Sequence, residues 1–300
     1  MRNNLIPISC ALGCSFLWGT TFVAQDTGMD FIGPYTFCAS RLFIGFFGLL
    51  PFLIYFEFDK LKQINFNFQK VLLYTLILGS IFGLANIFQQ VSLLYTDIAN
   101  SAVFTVLYVV IVPVVSYFIF SLKVHSSIWP SVTLCLIGGL LLSEIKNYDV
   151  RYGDTLVIIG AFFWAFHIIF ISKILKFFNF PIAIATFQCL VAGIFCSVPA
   201  LALETVSISL ISKEIKELLY AGILSSGVAF MLQAYAQRVL QPASVAIIFS
   251  LEGVFASIFG WIILDQFLNE IKIFGILIIL LAVIFSQLMP IYGKKKYGRI

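Results

Sequence analysis

Ten apolar runs of roughly 17 to 25 residues follow one another along the chain, at approximately 5–25, 35–56, 71–94, 97–120, 128–144, 154–175, 181–203, 216–238, 242–264 and 271–290. A helix needs that length to cross a hydrocarbon core of about 30 Å, where every backbone N–H and C=O must be satisfied internally. The runs exceed the roughly ten residues of a barrel strand and lack its polar–apolar alternation, which excludes a β-barrel. A chain that is 61% hydrophobic and 11% charged is no water-soluble domain either, since about a quarter of such a domain is charged. The predicted fold class is an all-α polytopic membrane protein of ten transmembrane helices.

Gly33-Pro34, Asn179-Phe180-Pro181 and Gln241-Pro242 mark helix starts, because proline is tolerated in the first turn. The first run follows only Met1-Arg2-Asn3-Asn4 and has no small-residue cleavage site before Gln25-Asp26, so it is expected to be retained. If the N-terminus is cytoplasmic, twelve Lys and Arg fall in inside segments and five outside (Lys146, Arg151, Lys213, Lys216 and Lys272), with Arg41 within a run. The positive-inside rule therefore predicts both termini cytoplasmic. Acids such as Asp26, Asp30, Asp149 and Glu204 gather on the opposite side. The basic tail Lys294-Lys295-Lys296 with Arg299 reads as a solvated segment facing an anionic leaflet, with no nucleic-acid partner expected. Cys10, Cys14, Cys38, Cys135, Cys189 and Cys196 all lie in apolar stretches and read as reduced packing residues. No metal and no cofactor are expected.

The chain also repeats itself. Residues 72–80 match 218–226 at six of nine positions with an offset of 146. Nearly the same offset pairs Phe16 and Trp18 with Phe162 and Trp164, Pro34 with Pro181, and Leu107 and Val110 with Leu251 and Val254. The expected division is a first five-helix repeat over 1–147, a second over 148–292 and a tail over 293–300. Five is odd, so the second repeat enters the membrane in the opposite sense, an arrangement that lets two similar halves open a shared cavity to alternate sides. A duplicated bundle with a scaffolding role would carry the same repeat.

Several motifs resemble the EamA-type members of the drug/metabolite transporter superfamily, over nearly the whole chain. They are Phe16-Leu17-Trp18-Gly19, Arg41-Leu42 after Pro34, and Tyr95-Thr96-Asp97-Ile98-Ala99-Asn100-Ser101-Ala102 in the first half, then Ala236-Gln237-Arg238, Pro242-Ala243-Ser244 and Leu251-Glu252-Gly253-Val254-Phe255-Ala256 in the second. Gly253 stands where the family commonly has proline, and Leu264-Asp265 where it has Gly-Glu. Glycine still permits a bend there. The resemblance implies a ten-helix carrier with a central cavity, moving small metabolites by alternating access. It leaves the substrate open.

An ionisable group at bilayer depth needs a partner, a cavity or a function. Glu252 lies within about 2 Å of the middle of its run, and Arg41 about 7 Å toward the outer side of its own. Glu252 is a candidate for substrate contact and proton coupling, or for a structural hydrogen bond; Arg41 is a candidate for the cavity or for tying helices together. In the repeat Arg41 aligns with Gln188, and Glu252 approximately with Tyr108. Asn86, Gln89 and Gln90 share one helix face, as do Gln233 and Gln237, and such polar stripes face protein or water. Trp18, Trp164, His167 and Tyr235 complete the candidate cavity as stacking, relay or packing groups. Gly79 to Gly83 and Ala256 to Gly260 are small residues spaced for close helix crossing.

Enzyme chemistry finds no constellation here. Neither His125 nor His167 belongs to a metal-binding helix motif, and Leu224-Ser225-Ser226-Gly227 is only distantly like a nucleophile elbow. The expected function is secondary or facilitative movement of a small polar metabolite, such as an amino acid, across the inner membrane, with export first. Uptake or exchange of a nucleotide-like compound such as S-adenosylmethionine is the alternative. The expected partners are the lipid bilayer and a small-molecule substrate; the oligomeric state is left open, a monomer being compatible with the reading.

Overall fold

The computed structural model describes residues 2–121, 124–126, 128–142, 151–265 and 267–296. Lys123, Lys146, Asp149 and Arg299, which entered the charge reading, lie outside the described residues. Among the described residues every regular element is helical. The elements are α1 (Arg2–Thr27), α2 (Pro34–Phe56), α3 (Phe58–Gln63), α4 (Phe68–Ser92), α5 (Ile98–Thr105), α6 (Tyr108–Phe118), α7 (Ile128–Leu142) and α8 (Tyr152–Leu175). There follow α9 (Pro181–Leu203), α10 (Ile208–Lys213), α11 (Ile215–Leu219), a π-helical stretch (Tyr220–Ala229), α12 (Phe230–Gln237), α13 (Pro242–Phe249), α14 (Leu251–Leu264) and α15 (Glu270–Lys296). Pro34, Pro181 and Pro242 each open a helix, as their lack of an N–H and fixed φ favour.

Nine spans among the described residues are long and apolar enough to cross a membrane. The tenth expected run is α7, an apolar helix of 15 residues, about 22 Å long at 1.5 Å per residue. Outward-facing Phe47, Ile54, Phe118, Ile194, Leu201 and Leu281 are more than half exposed, an apolar exterior suited to lipid.

Two runs expected to be single helices are interrupted halfway. α5 gives way to α6 at Val106-Leu107, and α13 to α14 at Ser250. At the first interruption Leu107 N–H donates to Phe104 O and Val109 N–H to Val106 O, three-residue turns in place of four. At the second, Gly253 N–H donates to Ser250 O at 3.3 Å. A hydroxyl competes for a backbone carbonyl at both places: Thr105 bonds Ser101 O at 2.8 Å and Ser250 bonds Ile247 O at 2.6 Å. Such back-bonding bends helices. The bend expected at Gly253 therefore sits three residues earlier, and Gly253 belongs to the first turn of α14.

Helix pairings join residues before 143 to residues after 150. α2 packs on α9, α7 on α15, α1 on α14, and α4 on α8. The pattern survives exchange of the two halves: α4 on α8 is matched by α12 on α1, α1 on α14 by α8 on α5 and α6, and α2 on the π stretch by α9 on α4.

The α2–α9 pair is closed reciprocally at both ends. Glu57, just past α2, accepts from the N–H groups of Ile182 at 3.2 Å and Ala183 at 2.8 Å in the first turn of α9. Glu204, just past α9, accepts from Tyr35 N–H at 2.9 Å and Thr36 N–H at 2.7 Å in the first turn of α2. Each carboxylate thus caps orphan donors at the positive end of its partner's dipole, and the two helices must run antiparallel. Gly33 allows the close approach at the Glu204 end, since a Cβ there would lie 2.2 Å from the carboxyl. Gly79 and Gly83 admit Val191 and Phe195 of α9 in the same way, so the small-residue spacing serves an α4–α9 crossing.

Removing one cap leaves two buried donors unpaired. Glu204→Ala should lower stability by about 1–3 kcal/mol in detergent, and Gly33→Ala should act through the same contact. The two losses should combine to less than their sum in a thermal-unfolding double-mutant cycle; strict additivity would contradict the contact's role. A pH dependence follows at the other end. Burial raises the Glu57 pKa, outweighing the Ala183 and Ile182 N–H groups and the charges of Arg238 and Lys60, which lower it. The folded state thus holds this proton to higher pH than the unfolded chain, whose value is near 4.5. The associated stability is present below that value and is lost as pH rises through the folded value. The midpoint of the parent should therefore gain on that of Glu57→Gln as pH falls from 7 toward 4. A gap that widens the other way would contradict the raised value.

Candidate functional site

A cavity of about 470 Å³ of empty space lies in the bundle, from its middle toward the end that carries residues 28–33. Trp18, Phe22 and Gln25 reach it from α1 at i, i+4 and i+7, hence from one face. Arg41 enters from α2, Asn86 and Gln89 from α4, Trp164 and Ile168 from α8, Ser225 from the π stretch, and Phe230 and Gln233 from α12. Thr105 and Tyr108 flank the α5–α6 interruption, and Glu252 sits in the first turn of α14 just past the other interruption. Both broken helices thus present a side chain to the same space, as discontinuous membrane helices do at transporter midplanes.

Tyr108 and Glu252 meet there. The Tyr108 hydroxyl donates to Glu252 Oε1 at 3.2 Å, and the two residues are 2% and 4% exposed. Glu252 stands in the first turn of α14, directly after the interruption at Ser250. Arg41, 3% exposed, donates through Nη2 to Asn86 Oδ1, and Asn86 in turn donates to Phe82 O at 2.7 Å. Phe37 lies under the guanidinium at 5.8 Å. Arg41 makes no ion pair with Glu252 or with any other carboxylate among the described residues.

Aromatic rings form the rest of the wall. Trp18 packs on Phe230 and Phe249 at 4.9 Å each, and Trp164 stacks on Phe230 at 5.9 Å and 11°. Trp164 Nε1 donates to Gln89 Oε1 at 3.1 Å. Gln233 Nε2 donates to Gln237 Oε1 at 2.9 Å, while Gln237 Nε2 donates to Ile168 O and Ser172 Oγ at 2.7 Å each. That chain fixes the amide orientations and leaves Gln233 Oε1 with no partner in the protein. Gln25 Oε1, Arg41 Nε and Trp18 Nε1 are likewise buried without a protein partner. Two donors and two acceptors therefore remain open among the residues that line the cavity, where unmatched polar groups are costly. The space is tight in this state: water centres fit over only about 30 Å³, room for about two molecules.

Not every expected residue reaches the cavity. Gln90 clasps α4 to α1 by donating to Gln25 O at 2.8 Å. His167 stacks on Phe82 at 5.0 Å and bonds Gln188 Oε1 at 2.9 Å, so both stand behind the wall. Tyr235 packs with the apolar cluster around Leu53 and Ile174, with Arg238 over its ring at 5.8 Å. Gln237 lies on the far side of Gln233, at the mouth of a second pocket. Phe22, Gln25, Thr105, Ile168, Ser225 and Phe230 line the cavity without having been singled out. Heptad spacing from Trp18 points to Gln25, whereas the Gln25-Asp26 polarity reads as a helix end; Thr105 becomes legible only with the helix break.

Among the described residues no three His, Cys, Asp or Glu come together as a metal site.

A bundle of apolar helices around a narrow polar cavity, with broken helices at its centre, defines a multi-pass membrane protein of transporter type. The chain belongs to the EamA-like transporter family, whose model matches residues 5–144 and again 151–288. It is similar to an uncharacterized transporter of Archaeoglobus fulgidus, at 30% identity over 91% of this chain and 83% of that one. It is also similar to the uncharacterized transporter YoaV of Bacillus subtilis, at 24% identity over 89% and 92%. A solved crystal structure shares the fold with a TM-score of 0.76, covering 94% of this chain and 96% of its own at 14% identity.

The Tyr108–Glu252 bond should matter for stability as well. Tyr108→Phe leaves a buried carboxylate without its donor and should cost about 1–3 kcal/mol, whereas Tyr117→Phe, at a position 54% exposed, should shift the midpoint little. Equal effects of the two changes would contradict the pairing.

Proposed function

We propose that this protein is a secondary carrier that exports a zwitterionic, amino-acid-like metabolite across the inner membrane by alternating access. Two inverted five-helix repeats would rock about the α2–α9 pair, with both termini cytoplasmic. The repeat reading is supported by the 147-residue spacing between Glu57 and Glu204 and by a packing pattern that survives exchange of the halves.

One observation carries the substrate class. A buried guanidinium and a buried carboxylate line the same cavity without pairing with one another. Opposite charges left apart in a low-dielectric site are expensive, and a ligand bearing both a carboxylate and an ammonium resolves both. Arg41, held by Asn86, presents its free Nε to the carboxylate. Glu252, held by Tyr108, takes the ammonium, with the faces of Trp18 and Trp164 beside it for cation–π attraction. A sugar phosphate, a dianion, would want several cations where this wall has Arg41.

Export as proton exchange assigns Glu252 a second role. Outside the ammonium-bound state the same carboxylate would take a proton and carry it the other way. In proteoliposomes with a pH gradient, Glu252→Gln should abolish gradient-driven accumulation, while counterflow between equal pH values persists at reduced rate. Accumulation at the parent's level would overturn the coupling. Arg41→Gln, which removes a charge-assisted contact worth about 1.5–3 kcal/mol, should weaken half-saturation roughly tenfold to a hundredfold. An unchanged half-saturation would remove Arg41 from the site.

A further inference from the structure

A second pocket, of about 1030 Å³ of empty space, opens at the end of the bundle where Glu57 lies, between α8, α6 and the turn from α12 into α13. Lys173, Lys176 and Arg238 all line it, together with Ser172 and Gln237, and among the described residues no acidic one does. Orientation in a membrane asks only that cations sit on one side; it does not ask that three share one concavity.

None of the three is neutralised. Lys173 is held over the faces of Phe120 at 3.4 Å and Phe170 at 5.4 Å, contacts that position the ammonium and leave its charge intact. Lys176 acts on Lys173 as a like charge. Arg238 lies 5.8 Å over Tyr235. The carboxylate that acts on Arg238 is Glu57, whose oxygens are already engaged by Ile182 and Ala183. Among the described residues, no ion pair within 4 Å involves any of the three.

Converging like charges around a concave space repel one another until an anion enters, and a multiply charged anion with several acceptor oxygens relieves them best. Ser172 and the first turn of α13, eight residues long and opening at Pro242, add donors at the same wall. We propose that this basic pocket binds a phosphate-bearing anion, either the headgroup of an anionic phospholipid or a soluble phosphorylated compound. The site is separate from the central cavity, and the Gln233–Gln237 pair lies between the two, with Gln233 on the cavity wall and Gln237 on the pocket wall. Occupancy would brace α8 against α12 beside that pair.

The test uses the full chain, purified in a neutral detergent, and reads its thermal midpoint against three probes: phosphatidylglycerol, phosphatidylcholine with the same acyl chains, and sodium pyrophosphate. A saturable rise with phosphatidylglycerol or pyrophosphate and none with phosphatidylcholine is expected, falling away at high salt. A rise with phosphatidylglycerol alone assigns the lipid source; a rise with pyrophosphate assigns the soluble one. Apparent affinity should drop roughly fivefold for each cation removed, first in Lys176→Gln, an exposed position expected to fold normally, then in the Lys176→Gln, Arg238→Gln pair. Lys60→Gln with Lys62→Gln, at the same end but outside the pocket, should keep the parent's affinity. No saturable rise with either anionic probe overturns the proposal, as does a rise that Lys176→Gln leaves unchanged or that the Lys60 and Lys62 changes abolish equally.

Discussion

A helix end inside or beside a hydrocarbon layer cannot leave its first N–H groups to water, and this bundle answers that constraint with two carboxylates. Glu57 closes α9 and Glu204 closes α2, each from the far end of the partner helix. The pair is therefore fixed in direction and in register along its whole length. α4 crosses α9, and the π stretch crosses α2, on frames those caps set.

Around that axis the interrupted helices do the opposite work. A continuous helix spends all its backbone polarity internally, whereas breaks at Val106-Leu107 and Ser250 start a fresh helix partway along each run. Tyr108 and Glu252 occupy those starts and meet each other. The carboxylate thus has Tyr108 as its partner, while the Arg41 guanidinium has Asn86. The consequence is a cavity lined by Arg41 and Glu252 that buries both residues without pairing them.

Much of the fold was legible in the chain because the bilayer imposes one strong rule, and the apolar runs and entry prolines at 34, 181 and 242 obey it. The helix breaks were not, since Thr105 and Ser250 are ordinary small polar residues whose back-bonding depends on the local backbone. Depth singled out Arg41 and Glu252, and amide spacing Asn86, Gln89 and Gln233; the fold brings all five to one cavity. The same spacing takes in Gln90, whose side chain clasps α1, because periodicity gives a face but not which neighbour it meets. Glu57 escaped notice entirely: in sequence it is one acid beside a lysine-containing loop, and only the antiparallel partner, far along the chain, gives it a role.

The most direct test of the cavity's reading is a thermal-unfolding comparison of purified protein with the common amino acids, their decarboxylated amines and their deaminated acids. A site built from separated Arg41 and Glu252 charges should give a saturable rise with a zwitterion, about 2.7 kcal/mol at a hundred times its dissociation constant, and far less with either singly charged analogue. A rise as large with the amine or the acid alone, or none with any zwitterion, would contradict it.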